Sequence, residues 1–125
     1  MARANDGIAS GAATSLATLA AGALTWNAIA EAAASGDSFA VGLMSETGNA
    51  LARAIADAAS LLDLDRVVQG GGLLQSGDVL LAPRRREMEE RARLPFTRNL
   101  DIRLTSSARE AGVVVAAKLC LHYIA

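Results

Sequence analysis

The chain reads as an α/β protein, helix-rich, with two short strands set to pair in parallel. Three observations carry this. Arg66–Gln69 is a short run with adjacent valines that ends in Gly70-Gly71-Gly72, and helical patterning resumes near Asp78. Leu100, Ile102 and Leu104 alternate with Asp101, Arg103 and Thr105, the period of a half-buried strand near a sheet edge. A helical pattern separates the two runs, and strands joined through a helix pair in parallel. Two strands alone make a poor sheet, so the chain is expected to be part of a larger α/β layer.

The 125 residues suffice for one domain and one core, or for a portion of a larger one. Hydrophobic residues make up 52% but aromatic ones only 3%, so alanine and the branched aliphatics supply most of the apolar surface. A net charge of −1 argues against a nucleic-acid face, which shows as a basic excess. The dense basic run Arg84-Arg85-Arg86 is answered at once by Glu87, Glu89 and Glu90, as on a solvated helix face. Cys120 is the single cysteine, which excludes an intrachain disulfide and a thiolate metal cluster. Ile8–Leu24 leans apolar, but Asp6 precedes it and Ser10, Thr14, Ser15 and Thr18 dilute it, so neither a signal peptide nor a membrane span is expected. A cytoplasmic protein is the plain expectation.

Residues 1–23 read as a flexible or short-helical segment. Met1–Gly11 is polar and glycine-containing and is expected to fray, and Thr14–Ala20 suits a short helix stopped by Gly22. Residues 24–125 form the main unit. Thr25 is a good N-cap for a helix over Trp26–Ala34, with Ser35-Gly36 ending it. Asp37 or Ser38 then caps the longest helix, to about Asp63. Met44, Leu51, Ile55, Ala58 and Leu62 keep a 3.6-residue period along it. Gly48, Ala52 and Ala56 form a second stripe of small residues suited to close backbone approach. Adjacent Val67 and Val68 suggest that the first strand is buried on both faces. Pro83 fits the first turn of a helix carrying Arg84–Arg93, with i,i+4 pairs Arg85/Glu89, Arg86/Glu90, Glu87/Arg91 and Glu89/Arg93. Leu94-Pro95 ends it. Ser106 or Ser107 caps a last helix to about Tyr123, apolar nearly all round, which needs partners on most of its circumference.

The glycines are the chemically informative stretch. A strand feeding a glycine turn and a helix N-terminus is how α/β proteins present backbone N–H groups to a ligand. Two nucleotide fingerprints fail on them. G-x-G-x-x-G starts at Gly70 and Gly72 but ends on Gln75. P-loop spacing fits Gly72 and Gly77, yet Asp78-Val79 stands where Lys-Ser/Thr is required.

A longer ordered set is more specific. A long alanine-rich helix leads into Leu61-Leu62-Asp63-Leu64-Asp65-Arg66-Val67-Val68-Gln69-Gly70-Gly71-Gly72, then Ser76-Gly77-Asp78-Val79-Leu80-Leu81-Ala82-Pro83, the alternating strand, and Ala108-Arg109-Glu110-Ala111-Gly112-Val113-Val114-Val115-Ala116-Ala117. This resembles the adenosine-motif region of the ROK family (repressors, open reading frames and sugar kinases). Leu24-Thr25 through Asp37 resembles the stretch before the family's long helix. The resemblance covers about Leu24 to the C-terminus. Gln69 and Arg84 stand where the family tends to place apolar residues.

The resemblance implies part of an actin-like ATPase fold, the last portion of the second of two RNase-H-like lobes around a cleft. It implies ATP, with magnesium, as cofactor, and Gly70, Gly71 and Gly72 as the residues against its adenosine and α-phosphate. The family's phosphate loop, catalytic aspartate, sugar-binding Glu-x-Gly-His motif and cysteine-rich zinc motif have no counterpart in these residues. No catalytic or metal-ligating residue is therefore assigned. Cys120 and His122 are too few ligands for zinc. The implied activity of a complete protein is phosphoryl transfer from ATP to a sugar hydroxyl, to which this chain contributes nucleotide positioning. The alternatives are the effector lobe of a ROK-type transcriptional repressor, or a truncated chain without function. Expected partners are an adenine nucleotide and, in a complete protein, a sugar, with neither nucleic acid nor membrane met through this region. The apolar surface of Gly112–Ile124 further suggests self-association.

Overall fold

The computed structural model describes residues 1–19, 22–91 and 99–105. In chain order it has helices α1 (Ala2–Ala9), α2 (Trp26–Ala34) and α3 (Ser38–Leu62), strand β1 (Arg66–Gln69), helix α4 (Asp78–Arg91) and strand β2 (Asp101–Leu104), with 3-10 turns at Ser15–Thr18 and Gly72–Ser76. The strands pair in parallel, Arg66 opposite Asp101 and Gln69 opposite Leu104, as expected. The last helix, Cys120, His122 and the turn at Leu94-Pro95 lie outside the described residues.

The capping residues act as their chemistry dictates. The Thr25 hydroxyl accepts the Ala28 N–H at 3.1 Å and starts α2. Asp37 Oδ1 accepts the Ala40 N–H at 3.0 Å and starts α3. Its other oxygen accepts the Thr14 hydroxyl at 2.9 Å and the Ser15 N–H and hydroxyl at 2.7 Å each. The Ala40 N–H above all, then Ser15, holds this carboxyl far below the usual carboxylate range. One carboxylate thus caps α3 and ties the N-terminal segment to it. That segment is more ordered than its composition suggests: Ala2–Ala9 is helical, and Ala4 packs in the core with Leu16, Ile29 and Met44.

The stripe of small residues on α3 does what its spacing predicts. Gly48, Ala52 and Ala56 are buried, and α4 lies against them with Met88 packed on Ala52 and Ala56. Pro83 departs from expectation. It is the sixth residue of α4 rather than part of its first turn, because the helix begins at Asp78. The missing N–H leaves one intrahelical bond unmade, and packing of the neighbouring turn against Gly48 offsets that. Of the described charge pairs, Arg86–Glu90 at 3.8 Å and Glu87–Arg91 at 3.0 Å form, Arg85–Glu89 does not, and Arg53 of α3 joins Glu87 at 3.3 Å.

Two apolar expectations fail. Val68 is 63% exposed, so β1 is not buried on both faces by the described residues. α3 and α4 cover only the side carrying Val67 and Gln69, and Val68 lies opposite, among the ion-paired Arg66, Asp101 and Arg103. Leu62, which keeps the apolar period of α3, is 63% exposed on the helix's last turn.

Candidate nucleotide site at the glycine turn

β1 is fastened at both ends to β2: Asp101 N–H donates to Asp65 O at 3.0 Å and Thr105 N–H to Gln69 O at 2.8 Å. The chain then leaves the ladder at Gly70. Gly71 has φ +115° and ψ 162°, a conformation that side chains oppose and glycine permits. Gly70, Gly71 and Gly72 form one turn that no packing explains at its tip, since a Cβ at Gly71 or Gly72 would meet nothing within 4 Å. Leu74 N–H closes on Gly71 O at 3.2 Å, whereas the N–H groups of Gly72 and Leu73 find no acceptor among the described residues. The turn therefore offers an open face with unpaired donors, which suits an anionic or acceptor-rich ligand.

The helix N-terminus falls at Asp78, where helical patterning resumes in the sequence, and does not directly adjoin the glycines. A 3-10 turn over Gly72–Ser76 separates the glycines from α4, whose first residue, Asp78, already places a carboxylate at the positive end. The donors near a ligand are thus those of the glycine turn itself.

Beneath the turn lies a pair that residue-by-residue reading missed. Arg84 of α4 donates from Nη1 to Gln69 Oε1. Both residues are buried, at 8% and 7% exposure. Burial, and next the neighbouring Arg85, lower the Arg84 pKa, and its Nε is enclosed without a partner. The available signal was that two polar residues stand where apolar ones are expected, at positions that β1 and α4 bring together. Beside Gln69 and Gly70 is a hollow of about 320 Å3, walled by Leu51, Ile55, Val67, Leu73 and Leu74. A larger groove of about 450 Å3 runs between α3 and α4 over Ser45, Asn49, Pro83 and Glu87, but it holds no residue of the turn, and Glu87 is occupied by Arg53 and Arg91.

Gly70, Gly71 and Gly72 are thus brought together as a single surface. Among the described residues no group of three or more His, Cys, Asp or Glu is placed to hold a metal ion, so these residues supply no ligand set for magnesium. No helix among the described residues is long and apolar enough to cross a membrane.

The sequence model of the ROK family matches residues 4–122. A glucokinase of Halalkalibacterium halodurans is 31% identical over 93 residues, 74% of this chain and 28% of that protein. A glucokinase of Thermotoga maritima is 28% identical over 89 residues, covering 71% of this chain and 28% of that one. The chain therefore spans just over a quarter of the length of these relatives. Among solved structures, a Cytophaga hutchinsonii protein assigned as a sugar kinase superposes with a TM-score of 0.76 at 26% identity, over 96% of this chain and 40% of that one. A ROK family transcriptional regulator, a homologue of the E. coli MLC protein, gives 0.69 at 26% identity over 82% of this chain and 26% of that one.

Proposed function

The chain belongs to the ROK family, and on that premise we propose that it forms the adenosine side of the nucleotide cleft of an ATP-dependent sugar kinase. Its fold is part of an actin-like ATPase lobe, helix-rich with two parallel strands. The observation that carries the proposal is the open turn: Gly71 at positive φ and, among the described residues, free space around Gly71 and Gly72 and no acceptor for the Gly72 and Leu73 N–H groups. Without Cβ atoms, the backbone approaches the adenosine and α-phosphate closely, and its donors meet the negative oxygens.

In such an enzyme, phosphoryl transfer relies on positioning and charge neutralisation. ATP, when bound with magnesium, supplies the transferable phosphoryl group. Gly70, Gly71 and Gly72 hold its nucleoside end, and the β1–β2 ladder keeps the turn fixed while they do so. No residue described here is assigned to proton transfer or to the metal. The sugar glucokinases act on is the first candidate acceptor, by similarity to the two relatives.

The test is photolabelling with an 8-azido analogue of ATP. Label on the peptide spanning residues 67–74, removed by excess ATP, is the expected result; label confined to other peptides would refute the assignment.

The second reading is the effector lobe of a transcriptional regulator, favoured by the likeness to the MLC homologue. A phosphate loop in any sequence found upstream of these residues would support the kinase, and a winged helix the regulator.

A further inference from the structure

We propose that Arg84 is an electrostatic positioning residue, whose buried positive charge draws the α-phosphate onto the glycine turn and makes the site prefer a nucleotide to its uncharged nucleoside. This rests on the nucleotide reading of the turn.

Arg84 is 8% exposed. Buried cations are normally paired with an anion, because leaving water costs them heavily. Here no carboxylate among the described residues pairs with the guanidinium. Its Nη1 donates to the neutral amide oxygen of Gln69, and its Nε is enclosed with no partner. Burial lowers its pKa, yet a guanidinium keeps its proton at neutral pH. The fold thus holds a whole positive charge inside, satisfied in part as a donor and not at all as a charge. Packing does not call for it, since an apolar side chain of similar volume would remove that cost.

The charge lies at the foot of the turn. Arg84 is bonded to Gln69, Gly70 is the next residue and Gly71 follows, so a phosphate on the turn is on the order of 10 Å from the guanidinium. At that range a unit charge in a protein environment changes the affinity of an anion by about tenfold. Arg66 and Arg103 lie on the opposite face of the strands, but their side chains are 59% and 64% exposed and both bond Asp101. Solvent and that carboxylate offset them. Arg84 has neither offset. The N–H groups of the turn bond the phosphate oxygens at contact, and Arg84 adds a longer-ranged attraction without touching the ligand.

The experiment titrates the full chain with AMP and with adenosine, following the Gly70–Gly72 amides by NMR, in the wild type, Arg84→Gln and Arg84→Lys. Arg84→Gln removes the charge and keeps a donor for Gln69, whereas Arg84→Lys keeps both. Arg84→Gln is expected to weaken AMP about tenfold and to leave adenosine within about twofold, and Arg84→Lys to preserve the wild-type ratio of the two affinities. A role confined to the fold would weaken both ligands alike. An AMP-to-adenosine ratio that Arg84→Gln leaves unchanged overturns the proposal, as does one that Arg84→Lys fails to preserve; the turn assignment stands in either case. Should Arg84→Gln not fold, the double variant Gln69→Leu, Arg84→Leu removes the charge without leaving a buried orphan, and the same fall in the ratio is expected of it. If neither ligand moves the turn amides, the turn assignment falls and the proposal with it.

Discussion

Gly48 lies so close to α4 that a Cβ on it would come within 2.7 Å of the Leu80 carbonyl oxygen and 3.0 Å of the Arg84 nitrogen. Both are backbone atoms, so neither can swing aside. The α3–α4 contact therefore sets the position of α4 and, through Arg84, of Gln69 at the foot of the glycine turn.

Gly48→Ala should accordingly force the two helices apart. Overpacking of this kind costs about 1–3 kcal/mol, seen as a lower urea midpoint with an unchanged slope. An unchanged midpoint would mean that the helices part without cost and that the close approach is incidental.

The Gln69–Arg84 pair should be strongly non-additive. Gln69→Leu leaves a buried guanidinium unsatisfied, and Arg84→Leu leaves a buried amide oxygen unsatisfied; each costs about 1–3 kcal/mol. The double replacement removes both orphans and should recover most of that loss. Additive losses in a double-mutant cycle would show that the two side chains do not depend on each other.

Acid should weaken the fold through Asp37. Its carboxyl titrates below the ordinary aspartate range in the folded chain, chiefly through the Ala40 N–H and then Ser15. The unfolded chain therefore binds protons first as pH falls. The contribution is complete above about pH 4, the unfolded value, and declines below it. Glu87, bonded first by Arg91 and then Arg53, and Asp101, bonded first by Arg66, act in the same direction. Asp37→Asn should lower stability at pH 7 and reduce the drop between pH 4 and pH 2. An equally steep acid limb in the variant would assign the acid sensitivity to other groups.

Much of this was legible in the sequence because it depends on local chemistry. Thr25 and Asp37 cap the helices their positions suggest, and Gly48, Ala52 and Ala56 face a neighbour as their spacing requires. The parallel pairing of β1 and β2 follows from the helix between them. What was not legible depends on tertiary partners. Composition made Met1–Gly11 a fraying end, but the burial of Ala4 against α2 and α3 orders it. Adjacent valines suggested burial on two faces, yet sequence does not say which face the helices cover, and Val68 is on the other. At the candidate site the glycines were visible by type, whereas the Gln69–Arg84 bond, between residues 15 apart, became visible only once α4 was placed.

The apolar run Gly112–Ile124 carries a separate prediction from sequence alone. Val114→Ser or Leu121→Gln should reduce self-association measured by sedimentation. A wild-type chain that sediments as a monomer and binds no hydrophobic dye would remove this expectation.

The central claim is that the glycine turn receives an adenine nucleotide. Its most direct test is an NMR titration of the chain with magnesium and ATP, run beside Gly71→Val, whose side chain is opposed by the φ of +115°. The account predicts the largest shifts at Gly70, Gly71, Gly72 and Leu73 in the wild type, and their loss in a folded Gly71→Val chain. Shifts concentrated elsewhere while these amides stay still would contradict it.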